Sequence, residues 1–132
     1  MKKIIIIIMI AIMMGIIFLF SSYDAVSSAE QSKVVVDIMN KYIPINSFYV
    51  RKLAHFSLFF LLELVLYIGI KMVVIKFPGL YSILILIIYA ISDEVHQYFI
   101  PGRSCEIRDM FIDICGGLCA LIIIKLWEVI LC

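Results

Sequence analysis

From residue 4 to residue 20 the chain reads IIIIIMIAIMMGIIFLF, with no charge and no proline. At 1.5 Å per residue a helix over this run is roughly 25 Å long, at the short end of what crosses a bilayer. Three further apolar runs follow, over about residues 53–70, 80–92 and 110–131. Inside hydrocarbon the backbone must satisfy its own hydrogen bonds, so runs of this kind become helices. The composition agrees. The chain is 65% hydrophobic and 16% charged, whereas a soluble domain is nearer half and a quarter. The expectation is an all-α integral membrane protein: four transmembrane helices and an outer amphipathic segment, forming a single domain over residues 1–132. The lipid bilayer is the first partner this implies. A net charge of +1 and the lack of any basic block imply no nucleic-acid partner. The oligomeric state is not legible.

The first run has two readings. Met1-Lys2-Lys3 is a basic head, and Ser27-Ser28-Ala29 would serve as a small-x-small cleavage site, as in a signal peptide. The run is longer than a typical signal core, however, and that site lies well beyond its end. A retained helix is favoured. Residues 21–50 form the longest polar segment. Within it Val34, Val35, Ile38, Met39 and Tyr42 recur at helical spacing, with Asp37 and Lys41 between them and Pro44 as a stop. This predicts a short amphipathic helix on the membrane surface or capping the bundle.

Arg51 and Lys52 open the second span, His55 lies one turn inside, and Glu63 follows eight residues later on nearly the same face. A carboxylate at that depth must face the bundle interior and find a partner or be protonated. Lys71 and Lys76 flank a turn that ends in Phe77-Pro78-Gly79. The third span is short, so its helix should continue through Asp93 to Tyr98 before Ile100-Pro101-Gly102 breaks it. On that helix Asp93, His96 and Gln97 share a face, with Glu94 turned about 100° away. In the fourth span Asp109 and Asp113 are i, i+4. Gly116 and Ala120 continue their face as a small-xxx-small pattern, which lets another backbone come close. Lys125, Trp127 and Glu128 mark the far interface. Cys105, Cys115, Cys119 and Cys132 show no CxxC spacing and read as small packing residues rather than a zinc or disulfide framework.

Lys2, Lys3, Lys71, Lys76 and Lys125 fall on one side of such a bundle. Arg51, Lys52, Arg103 and Arg108 fall on the other, with Lys33 and Lys41. Counted by number, the basic residues are indecisive. Counted by density in short loops, they put both termini in the cytoplasm. Residues 21–52 and 92–108 would then be outside.

The outer ends of spans two to four bring together Arg51, His55, Asp93, Glu94, His96, Gln97, Arg103, Arg108, Asp109 and Asp113, with Lys52 beside them. One reading is purely structural: Asp109 and Asp113 pair with Arg103 and Arg108, and Asp93 pairs with His96, since buried carboxylates need partners in any case. A second is an anion site, because guanidinium groups grip phosphate or carboxylate bidentately. At an outer membrane face the ligands would be lipid phosphates, a lipid-linked cell-wall precursor, peptide carboxylates or an amphipathic lipoglycopeptide drug. Arg103 and Arg108 are the expected anion contacts. A third reading is a metal-dependent hydrolase acting on a lipid-linked phosphate or ester. Two histidines plus Asp93, Glu94, Asp109 and Asp113 are enough ligands, yet there is no HExxH and no nucleophile beside a base. No metal or other cofactor is therefore expected, and whether the chain is an enzyme stays open.

Three motifs are familiar. Arg51-Lys52-x-x-His55-Phe56, then Ser92-Asp93-Glu94-x-His96-Gln97-x-Phe99-x-Pro101-Gly102-Arg103, then Arg108-Asp109-x-x-x-Asp113-x-x-Gly116 resemble the VanZ-like family. These are small bacterial membrane proteins named for a member associated with resistance to the glycopeptide teicoplanin. The likeness covers roughly residues 21–120. It implies several membrane helices in a bacterial cell membrane and a role in glycopeptide tolerance or the cell envelope. It supplies no reaction. One departure is Asp113, where the family often has asparagine. It adds a second carboxylate to this helix.

Overall fold

The computed structural model describes residues 1–41, 44–74 and 76–131. Five helices follow one another: α1 Lys2–Ser22, α2 Ala25–Met39, α3 Ser47–Lys71, α4 Pro78–Tyr98 and α5 Ile107–Leu131. All but α2 are long and apolar enough to cross a membrane. They alternate in direction, so the C-termini of α1 and α4 and the N-termini of α3 and α5 share one end. The short helix α2 lies there too.

Each boundary has a local cause. The Asp24 carboxylate caps α2, accepting from the Ser27 amide at 2.7 Å. Asn46 does the same for α3, from the Tyr49 amide at 3.2 Å. Side-chain acceptors of this kind satisfy amides that the first turn leaves unpaired. Phe77 takes a left-handed conformation (φ 55°), and Pro78 then sits in the first turn of α4, where its missing N–H costs nothing.

The helix α3 is central and touches each of the other four. Ile17, Phe59, Leu62, Leu66, Ile83, Leu86 and Ala90 form the apolar core. Gly116 brings α5 against α3 so closely that a Cβ there would lie 2.3 Å from the Phe56 carbonyl oxygen. The small-residue face expected from Gly116 and Ala120 is buried, and Gly117 joins it. Glu63 is fully buried, as its depth required, and its partner is Ser82, whose Oγ donates to it at 2.6 Å. At the end opposite α2, Glu128 pairs with Lys71 and Lys125 and accepts from the Tyr67 hydroxyl at 2.7 Å.

Several expectations need correction. The helices α1 and α3 reach further at both ends than 4–20 and 53–70, and α5 begins before residue 110, because polar residues continue each helix instead of interrupting it, while α4 runs to Tyr98 as expected. Ser21 and Ser22 belong to the last turn of α1, not to a loop. The helix α2 starts at Ala25 and seats itself through buried Ser28 and Ser32, while Val34, Val35 and Ile38 stay exposed. Of its apolar stripe, Val35 borders a groove between α1, α2 and α3, and Val34 and Ile38 do not line it. Tyr42, the last residue of that stripe, is outside the described residues, as is Cys132. Cys105, Cys115 and Cys119 are free thiols, as expected, but exposed rather than packed inside.

Candidate functional site

Four helices each send a polar side chain into the bundle at the α2 end. Asp93 of α4 is the centre. Its Oδ2 accepts from Ser21 Oγ of α1 at 2.9 Å and from Gln97 Nε2, one turn on, at 2.9 Å. Gln97 in turn accepts from Arg103 Nη1 at 2.9 Å through its own Oε1. The other guanidinium nitrogen, Arg103 Nη2, donates to Ser28 Oγ at 3.0 Å and to the Phe20 carbonyl at 3.3 Å. Gly102, at φ +73°, supplies the left-handed turn that sends Arg103 back over the bundle, and a Cβ on it would approach that of Ala25 to 3.1 Å. One arginine thus ties the α4–α5 loop to α1, α2 and α4.

His55 of α3 and Asp113 of α5 meet beside this network, with Nδ1 and Oδ1 3.3 Å apart. Together with Asp93 they form a compact group: a ligand atom of each lies within 4.8 Å of the others. Asp113 is fully buried, and among the described residues neither of its oxygens has a hydrogen-bond donor.

The remaining residues of the constellation go elsewhere. Glu94 is buried, but it accepts the Glu106 amide at 2.8 Å and so holds the start of α5. His96 stacks on Phe18, with ring centroids 4.4 Å apart, and lies 3.0 Å from Ser22 Oγ. It therefore anchors α1 to α4 and does not pair with Asp93. Asp109 pairs with Lys52 rather than with an arginine. Arg108 points outward, 3.4 Å from Glu106 and over the Phe48 ring. The ion pairs expected between Arg103 or Arg108 and the two aspartates do not form. The arginines sit in or beside the loop, while Lys52 and His55 on α3 face α5 directly. Ser21, Ser28 and Glu106 are the members that sequence reasoning missed. Serines at a helix end read as loop, and their spacing carried no signal.

Two of the cavities at this end adjoin the network. A polar one of about 220 Å³ is lined by Arg51, Lys52, His55, Gln97, Arg103, Glu106 and Asp109, with Ala25, Phe48, Gly102 and Ser104. A mainly apolar groove of about 380 Å³ runs between α1, α2 and α3, lined by Ile17, Phe20, Val35, Val50, Ala54 and Leu58 among others. Arg51, His55 and Arg103 line both. Arg108, Glu94 and His96 line neither. Among the described residues the Nε–H of Arg51 and that of Arg103 are buried without an acceptor. Burial, and next the neighbouring Arg51 guanidinium, lower the pKa of Arg103 below its ordinary value, and Asp93, Glu94 and Asp109 offset this only in part.

A family profile described as VanZ/LLP1 matches residues 6–128. The chain belongs to the VanZ/LLP1 family. The match takes in all four long helices and the whole polar end, so this protein is a VanZ-like, multi-pass membrane protein. No curated protein and no solved structure matches it.

Proposed function

We propose that this VanZ-like protein binds an anionic, lipid-tailed ligand of the bacterial cell envelope at the α2 end. That end faces outward, and both termini lie in the cytoplasm. A single arrangement carries the reading: a cationic pocket and an apolar groove adjoin, and Arg51, His55 and Arg103 belong to both. A phosphate or carboxylate would meet the two guanidinium groups, and its acyl tail would lie along Ile17, Val35, Val50 and Leu58. Gln97 and Asp93 hold Arg103 from behind, and Lys52 is held by Asp109, so the acids position the cations rather than contact the ligand. Lipid-linked cell-wall precursors and lipoglycopeptides such as teicoplanin have the matching chemistry.

The test is teicoplanin susceptibility, with vancomycin as control, in a susceptible host making the wild type or Arg103→Ala at equal membrane levels. The wild type should raise tolerance to teicoplanin more than to vancomycin, and Arg103→Ala should abolish the rise. Tolerance unchanged by a well-inserted wild type would remove the antibiotic from the proposal.

A second reading keeps the groove and adds chemistry: a metal-dependent hydrolase of a lipid-linked phosphate or ester. The convergence of His55, Asp93 and Asp113 favours it. Release of phosphate from a lipid-linked pyrophosphate by the purified protein with Zn²⁺ or Mg²⁺ would support it. Intact substrate after prolonged incubation would remove it.

A further inference from the structure

His55, Asp93 and Asp113 come from three different helices, α3, α4 and α5. Their ligand atoms nevertheless lie within 4.8 Å of one another, inside the bundle. Two carboxylates held this close and out of water repel each other and lose their hydration, so they must take up a proton or meet positive charge. Beyond His55, whose Nδ1 stands 3.3 Å from Asp113 Oδ1, the described neighbours supply little. Asp93 accepts from Ser21 and Gln97, which are both neutral. Asp113 is fully buried and receives no hydrogen bond at either oxygen, and His55 Nδ1, 3.3 Å away, is not aligned to give one. Lys52 is taken by Asp109 and Arg103 by Gln97 and Ser28.

We infer that His55, Asp93 and Asp113 bind a divalent transition-metal ion of the Zn²⁺ class. The donor set is one imidazole nitrogen and two carboxylate oxygens. Imidazole selects zinc and its neighbours over magnesium and calcium, and three protein ligands leave a coordination position open. Ligand-to-metal distances of about 2.0–2.2 Å place donors of one site within about 3–4 Å of each other, so atoms standing within 4.8 Å of one another need side-chain shifts of about 1 Å to close on an ion. The surroundings fit as well. Both hydrogen bonds to Asp93 go to Oδ2, which fixes the carboxylate and leaves Oδ1 free to ligate, as the groups around a metal's ligands generally do. His55 lines both cavities, so the site has a route to ions from the aqueous end. This goes beyond the ligand-binding reading and does not depend on it.

The test is direct metal analysis of the purified protein in detergent after loading with Zn²⁺ and removal of free ion. Wild type, His55→Gln, Asp113→Asn and Glu128→Gln at the opposite end would be compared. The wild type and Glu128→Gln should retain a single ion per chain, and His55→Gln and Asp113→Asn should lose it while eluting as the same monodisperse species. The Co²⁺-loaded wild type gives a readout free of any substitution: its near-ultraviolet spectrum should lack the intense thiolate charge-transfer band. No retained ion in the wild type would overturn the inference. So would an ion that survives both His55→Gln and Asp113→Asn, or a thiolate band, since either places the metal on the cysteines or elsewhere. Lipid binding is measured separately, so loss of one result leaves the other standing.

Discussion

Gly116 of α5 packs on the Phe56 carbonyl of α3, where an added Cβ would stand 2.3 Å from the oxygen. Phe56 follows His55, and Gly116 lies one turn beyond Asp113, so the spacing that lets α3 and α5 touch also sets the distance between the histidine and the aspartate. Gly116→Ala must push the helices apart, because the obstacle is backbone and cannot turn aside. Gly117→Ala meets the methyls of Leu86, at 2.7 and 2.8 Å, and Cδ1 of Ile83, at 3.3 Å, side-chain ends that can shift where backbone cannot. Overpacking of the first kind costs about 1–3 kcal/mol. Thermal unfolding in detergent should show Gly116→Ala clearly destabilised and Gly117→Ala much closer to wild type.

Ser21 and Asp93 test whether the end of α1 belongs to the site. Ser21→Ala removes one of the two donors to a buried carboxylate. A lost hydrogen bond to a charged group costs about 1.5–3 kcal/mol. Ser21→Thr keeps the hydroxyl and should retain most of the stability. Equal melting of the two variants would mean that Ser21 is merely adjacent.

The cap of α2 should respond to acid. The Ser27 amide and then the Ser27 hydroxyl hold the Asp24 carboxyl below its ordinary 3.8. A group lowered on folding contributes while pH is above its unfolded value, and that contribution is lost as pH falls through the folded value. Protection of the first-turn amides of α2 against exchange, relative to their intrinsic rates, should therefore fall as pH drops below about 4. Asp24→Asn also caps but does not titrate, so its exchange should lack this acid step.

The membrane helices and the polar end were legible because both rest on coarse signals: long uncharged runs, and ionisable residues where charge is costly. So were the buried Glu63 and the close approach at Gly116, since depth and small-residue spacing constrain them strongly. Pairing was not legible. Asp109 chose Lys52 over the nearer-in-sequence Arg108, because on α5 a single residue step turns Arg108 about 100° outward. Ser21 and Ser28 gave no signal either. A serine costs little in a loop, and only the meeting of α1, α2 and α4 around Arg103 gives these two a task.

Arg103 and Arg108 separate a site from a charged surface. Arg103 joins the polar pocket to the groove, whereas Arg108 lines neither. Arg103→Lys keeps a charge but loses the forked donors that hold Gln97 and Ser28 together. It should bind the ligand less well than wild type and better than Arg103→Ala, read as ligand occupancy at fixed concentration.

The most direct measurement is native mass spectrometry of the purified protein titrated with phosphatidylglycerol, against phosphatidylcholine of the same acyl chains. The account predicts preferential binding of the anionic lipid to the wild type and to Arg108→Ala. It predicts a loss of about tenfold or more in Arg103→Ala, as expected for removing charge-assisted hydrogen bonds. Equal uptake of the two lipids, or the same loss in Arg108→Ala as in Arg103→Ala, would contradict it.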